Sequence, residues 1–233
     1  MILRLLRRIC GRKDPRRAIL FVPAYDESTS PNLRVARRLG GCHVRLFEAK
    51  ATRVGLWRAL AKHPGRALVA MSHGRRQFLR AQGGTPPHAI QLEDAGDIGT
   101  RKVFAWACLT SAELGRAAAD SGLVWLGFPV KIAATPENAQ LQSLLVDVLQ
   151  HVVNGLPTIS DEASCRAVLD RVVEAAVNAL ETVDSIPHDS SDQQCFEQFQ
   201  LRFEAWLPGC AEPIRPTDAP RNRQDDLDPA EDL

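Results

Sequence analysis

No stretch of this 233-residue chain approaches the roughly 18–20 consecutive apolar residues that a membrane-spanning helix needs. The apolar residues near the start, LRLLRRI, are broken up by arginines, whereas a secretory signal requires an uninterrupted apolar region. Both absences make a cytoplasmic protein the expectation. None of the six cysteines (Cys10, Cys42, Cys108, Cys165, Cys195, Cys210) forms a C-x-x-C pair, and none stands near a histidine at zinc-ligand spacing. Free thiols in a reducing compartment are therefore expected, with no metal and no cofactor. An excess of either charge is also missing: 29 Lys and Arg face 28 Asp and Glu, for a formal net charge of +1. That balance gives no general reason to expect nucleic acid as a partner. There is no internal repeat.

What charge asymmetry exists lies at the ends. MILRLLRRICGRKDPRR is strongly basic and RQDDLDPAEDL is acidic. Residues 1–17 read as a basic leader, either solvated or suited to a weak contact with a membrane surface or an acidic partner. Residues 208–233 are Pro-rich and polar and read as a disordered tail. Between them, 18–207 read as one domain.

Within that domain, short apolar runs alternate with helical patterns. AILFV (18–22) is closed by Pro23. SPNLRVARRLGG carries Ser30 as a helix cap, Pro31 at the first helical position and Gly40 as a stop. CHVRLFEA, TRVGLWRALAKHPG and RALVAM then give strand, helix and strand. Short connections between such units predict a parallel sheet with helical crossovers. Residues 75–99 are rich in Gly and Pro and predict a long loop. A strand over 102–107, a helix from Ser111 and the strand LVWLGF follow. Three further amphipathic helices end the domain. The fold class read here is a three-layer α/β/α sandwich with a mostly parallel sheet and a helical C-terminal part.

In such sheets a site lies outside the carboxyl ends of the strands. Those ends here are Pro23-Ala24-Tyr25-Asp26, Glu48, Ser72-His73-Gly74 and Cys108. No glycine occurs in PAYDESTSPN, which counts against a phosphate-binding loop and a flavodoxin-like nucleotide domain. A histidine and a cysteine leaving two apolar strands suit a thiol nucleophile with its base. Thr110-Ser111-Ala112-Glu113 fits a capping box, which puts a helix N-terminus two residues beyond Cys108. Gly74 could bring its N–H close to a substrate and form an oxyanion hole with the Cys108 N–H. The alternative reading of Cys108 is a small core residue at a strand end. Asp26 and Glu27 have the alternative of solvated loop acids, and Trp106 that of a core side chain.

ALVAMSHG followed by VFAWACLTSAELGRAAADSGLVWLGF resembles the caspase-like cysteine peptidases, and within them the bacterial CHAT type. The matching residues are Ser72, His73 and Gly74, then Ala107 and Cys108, Leu114 and Gly115, Gly122 and Gly127. The resemblance implies an endopeptidase that works through a thioester, with Cys108 as nucleophile, His73 as general base and acid, and Gly74 as an oxyanion donor. It implies a protein substrate, often encoded by a neighbouring gene, and a role in regulated proteolysis or bacterial defence. It also implies a substrate pocket drawn from the loop after the first strand and from residues beside the cysteine, here Asp26, Glu27 and Trp106. Basic-specific relatives often carry an acid two residues before the cysteine. Trp106 departs from that pattern. A degenerate scaffold that recruits partners through its C-terminal helices is the competing reading.

Overall fold

A computed structural model describes residues 18–83, 88–98 and 102–217. The expected leader over 1–17 and the expected tail beyond 217 lie outside the described residues.

Five strands run parallel in the main sheet: β1 (Ala18–Val22), β2 (Cys42–Phe47), β3 (Leu68–Met71), β7 (Lys102–Trp106) and β8 (Val124–Gly127). Every residue of β1 and β3 is buried, because helices cover both faces of the sheet. Such strands read as continuous apolar runs rather than as alternating ones. The spatial order is β2-β1-β3-β7-β8-β9, in which β9 (Glu204–Trp206) joins antiparallel to β8.

One face carries α1 (Ser30–Arg38), α4 (Ala139–Gly155), α5 (Glu162–Val183) and α6 (Ser190–Arg202), packed over Leu20, Val69 and Phe104. The other carries α2 (Arg53–Lys62) and α3 (Leu114–Asp120), packed over Ile19, Phe21 and Ala105. Start signals in the sequence set several of these helices. Thr52 caps α2 by accepting from the Gly55 N–H. Asp161 and Asp189 form capping boxes at the starts of α5 and α6, and Asn138 caps α4.

Three expectations need correction. The stretch expected to be a long loop holds a small antiparallel sheet, β4 (Gly74–Arg75), β5 (Phe78–Arg80) and β6 (His88–Gln91). Its strands are two to four residues long, too short for a period to show. Leu79 and Ile90 are nevertheless fully buried and tie it to the main core. Of the tail expected to be disordered from 208 onward, the described residues 208–217 are bonded to the domain. Ile214 exchanges backbone hydrogen bonds with Ala205, and the Asp170 carboxylate accepts from both the N–H and the hydroxyl of Thr217. The third correction is the helix after Cys108, which starts at Leu114 rather than two residues beyond the cysteine.

Candidate active site

The order β2-β1-β3 makes the chain leave β1 toward one face and β3 toward the other. Residues after β1 enter α1, whereas residues after β3 enter the small sheet packed on the opposite face. The two loops diverge at the carboxyl edge, the place where α/β sheets bind their ligands. Asp26 reaches that edge from β1 and His73 from β3, where the two side chains meet.

The loop Tyr25–Ser30 is shaped by Asp26. Its Oδ1 accepts from the Thr29 N–H at 3.0 Å, the Thr29 hydroxyl at 2.8 Å and the Ser28 hydroxyl at 3.0 Å. This is an Asx turn with hydroxyl reinforcement, the local chemistry that an Asp followed by Ser and Thr favours. The turn leaves Oδ2 to meet His73 Nε2 at 2.8 Å, with the Ser28 hydroxyl 3.1 Å from the same nitrogen. Burial alone would raise the Asp26 carboxyl. The hydrogen bonds from Thr29, His73 and Ser28 outweigh it and hold the group down at about 2. A carboxylate can only accept, so Nε2 carries a hydrogen in this bond. In the neutral ring Nδ1 then keeps the lone pair and is the nitrogen that can take a proton. Main-chain and side-chain bonds to β5 fix the histidine's own strand: the Arg80 N–H donates to the His73 carbonyl at 3.0 Å and the Ser72 hydroxyl to the Arg80 carbonyl at 2.8 Å.

Cys108 arrives from the neighbouring strand. Met71 pairs with Trp106 across β3 and β7, and the Ser72 N–H donates to the Trp106 carbonyl at 3.1 Å. His73 and Cys108 each stand two residues past that pair, so the register carries both to the same edge. Gly74 is where the two segments touch. A Cβ there would lie 2.6 Å from the Cys108 carbonyl oxygen, 2.4 Å from Thr110 Cγ2 and 3.0 Å from Ala107 Cβ. Only a glycine allows so close an approach.

The turn that follows Cys108 is held by main-chain bonds. The Leu109 N–H donates to the Val130 carbonyl at 3.0 Å and the Ser111 N–H to the Phe128 carbonyl at 3.2 Å. Leu109 adopts a left-handed backbone (φ 61°), a conformation that costs a non-glycine residue about 1–2 kcal/mol. Such strain collects at functional turns. The Cys108 Sγ accepts from the Ile132 N–H at 3.4 Å. Burial pushes its thiol up, against the smaller opposing effects of that N–H, its own N–H and the Lys131 charge. Among the described residues, no hydrogen bond joins Cys108 to His73.

No family model, no curated protein and no solved structure matches this chain.

The remaining site candidates fall in different places. Glu27 is exposed on the loop beside Asp26. Trp106 is 2% exposed, stacked on Phe199 of α6 at 5.3 Å and edge-on to Phe128 at 5.6 Å. It is a core side chain, and its expected place in a substrate pocket is corrected: no face of it is left for a ligand. The expected dipole of a helix N-terminus behind Cys108 is likewise missing. Thr110 turns its hydroxyl to the Ala107 carbonyl and Ser111 turns its hydroxyl to Glu204, so neither caps α3. Among the described residues no group of three or more His, Cys, Asp or Glu could hold a metal. Sequence reasoning passed over three contributors. Ser28 and Thr29 were legible as hydroxyls next to an aspartate. The Ile132 N–H left no mark in the sequence, since any residue type supplies one.

Proposed function

We propose that the chain is a caspase-like cysteine endopeptidase of the CHAT type, acting on a protein substrate in the cytoplasm, in regulated proteolysis or bacterial defence. The observation that carries this reading is the shared edge. His73 and Cys108 leave adjacent parallel strands in register, and the Asp26 carboxylate grips the far nitrogen of the imidazole.

In the reaction, His73 Nδ1 takes the Cys108 thiol proton and Sγ attacks the scissile carbonyl carbon, forming a C–S bond. The oxyanion accepts from the N–H groups of Gly74 and Cys108. Collapse breaks the C–N bond, and the same proton leaves with the amine. Water, giving a proton to His73, then adds to the thioester carbon; the C–S bond breaks, the acid product leaves and His73 returns the proton to Sγ. A thiol raised by burial does not ionise by itself near neutral pH, so proton transfer to a correctly turned imidazole is required for attack. Catalytic hydrogen bonds in unliganded enzymes are often unmade until substrate arrives.

A second reading, a scaffold on the same fold, draws on the same missing bond between Cys108 and His73 together with the protonated resting thiol. A peptidyl acyloxymethyl ketone separates the two. Mass spectrometry of a peptidase will find a single adduct on Cys108, lost in both Cys108→Ala and His73→Ala at unchanged thermal stability. Equal alkylation of Cys42, Cys108 and Cys210, indifferent to His73, overturns the enzyme reading. Genes beside this one are the first place to look for the substrate.

A further inference from the structure

Away from the candidate active site, on the open edge of the sheet, β2 and α2 enclose a cleft of about 610 Å³. Six basic or imidazole residues line it: His43, Arg45, Lys50, Arg58, Lys62 and His63. Among the described residues no acidic one does. Elsewhere arginines are neutralised on the surface, Arg34 by Glu137 and Arg53 by Asp94. In the cleft, Lys50, Arg58 and Lys62 make no ion pair among the described residues, and the Arg45 guanidinium donates only to the main-chain carbonyls of Arg37 and Leu39. Glu48, the nearest acid in sequence, turns to Arg37 instead. Among the described residues Lys50, Arg58 and Lys62 thus have no counter-charge, and positive charge gathered in a concave site is a field that favours an anion.

Two features say which anion. The wall of the cleft is β2 itself, whose outer edge pairs with no strand among the described residues, so its main-chain donors and acceptors are available to an added strand. Val44 and Leu46 of β2 and Val54 of α2 add aliphatic surface to the cleft, and Val54 is the exposed large hydrophobic side chain of the described surface, at 65%. An extended peptide with alternating carboxylates and aliphatic side chains meets both requirements. Single-stranded nucleic acid needs aromatic platforms on which bases stack. The rings here are His43 and His63, which are set edge to face against each other at 6.0 Å. We infer that this cleft is a docking site for an acidic, extended segment of a partner protein, added as a strand to β2. The inference stands apart from the peptidase reading, because none of Asp26, His73, Gly74 and Cys108 takes part.

The probe is a fluorescein-labelled peptide of alternating Glu and Val, about eight residues long to span a typical strand. Anisotropy at low salt is expected to show saturable binding that weakens about tenfold or more toward 0.5 M salt, as screened charge–charge contacts do. The triple variant Lys50→Glu/Arg58→Glu/Lys62→Glu is expected to bind at least about tenfold more weakly. The milder Arg58→Gln/Lys62→Gln, which removes charge without reversing it, will fall between the two. Amide exchange over 42–47 should slow when peptide is added. No saturable binding by the wild-type protein, or undiminished binding by both variants at wild-type melting temperature, overturns the inference. So does an oligothymidine of about twelve nucleotides that binds more tightly than the peptide at equal salt.

Discussion

The two halves of the candidate site are built by different means. On the histidine side, side chains do the positioning: Thr29 and Ser28 hold Asp26, and Asp26 holds His73. These groups are substantially exposed, with His73 at 39% and Asp26 at 41%. On the cysteine side, the main chain and the core do it. Cys108 ends a buried strand, its turn is bonded to residues 128–132, and Trp106 anchors the strand in an aromatic cluster with Phe128, Phe199 and Phe203. One half can be detuned by exchanging a single polar atom. The other moves only if packing moves. Substitutions on the two sides should therefore separate chemistry from stability.

The largest effect is expected where packing dominates. Trp106→Ala removes the fully enclosed indole between Phe199 and Phe128 and should cost about 3–5 kcal/mol of unfolding free energy. Chemical denaturation measures it. If the cysteine side is set by the core, the same variant will also lose the selective alkylation of Cys108. Retained selectivity would mean that the turn is held by its main-chain bonds alone.

Asp26→Asn tests the opposite half. The asparagine keeps the shape but can present an N–H to Nε2, which favours the other tautomer of His73 and leaves Nδ1 protonated. Cleavage or Cys108 labelling by the peptidyl ketone should fall roughly a hundredfold, about 2.7 kcal/mol, with little change in melting temperature. Because Asp26 titrates at about 2, the bond to His73 is present above the ordinary aspartate range and fades as pH drops toward 2. A wild-type rate that is insensitive to this substitution would reduce Asp26 to a loop-shaping residue.

Gly74 joins the two halves, and Gly74→Ala is expected to disturb both. A Cβ 2.6 Å from a carbonyl oxygen cannot be absorbed by a side-chain rotation. The strands must part, at a cost of about 1–3 kcal/mol typical of overpacking. Thermal unfolding reads the loss. Pairing it with Thr110→Ser removes the Cγ2 contact and should recover only part, since the Cys108 carbonyl stays in place.

This division also explains what the sequence could tell. AILFV, LVAM and KVFAW are buried on both faces, so they read as apolar runs, and the polar residues that end them stand out as edge residues. His73 and Cys108 were legible for that reason. Asp26 was legible as an acid at the right edge, but not its partner, since which carboxylate oxygen the Asx turn leaves free is a matter of three-dimensional geometry. Thr110-Ser111-Ala112-Glu113 has the spelling of a capping box, yet tertiary partners claimed its groups: Ser111 gives its N–H to Phe128 and its hydroxyl to Glu204. Local propensity lost to a buried carboxylate 93 positions away in the chain. The small sheet escaped notice because three strands of two to four residues carry no period, and β9 because EAW directly continues a helical pattern.

That buried carboxylate supplies the smallest of the expected effects and the one most specific to the cysteine side. Glu204 is 3% exposed, accepts from the Ser111 hydroxyl at 2.8 Å and lies 3.6 Å from Arg215 Nε. Burial pushes its carboxyl above the ordinary value of 4.5, and Ser111 and Arg215 only partly offset that. An acid raised in the folded state binds its proton more tightly there than in the unfolded chain. Its contribution to stability is therefore complete below about 4.5 and is lost as pH rises through the folded value. Glu204→Gln keeps an acceptor for Ser111 and has no charge to bury, so its melting temperature should exceed that of the wild type by a growing margin as pH rises from 4 to 7. Melting curves across that range decide it. If the margin shrinks instead, the ion pair with Arg215 outweighs desolvation, and the turn after Cys108 is anchored by charge rather than by a hydroxyl bond.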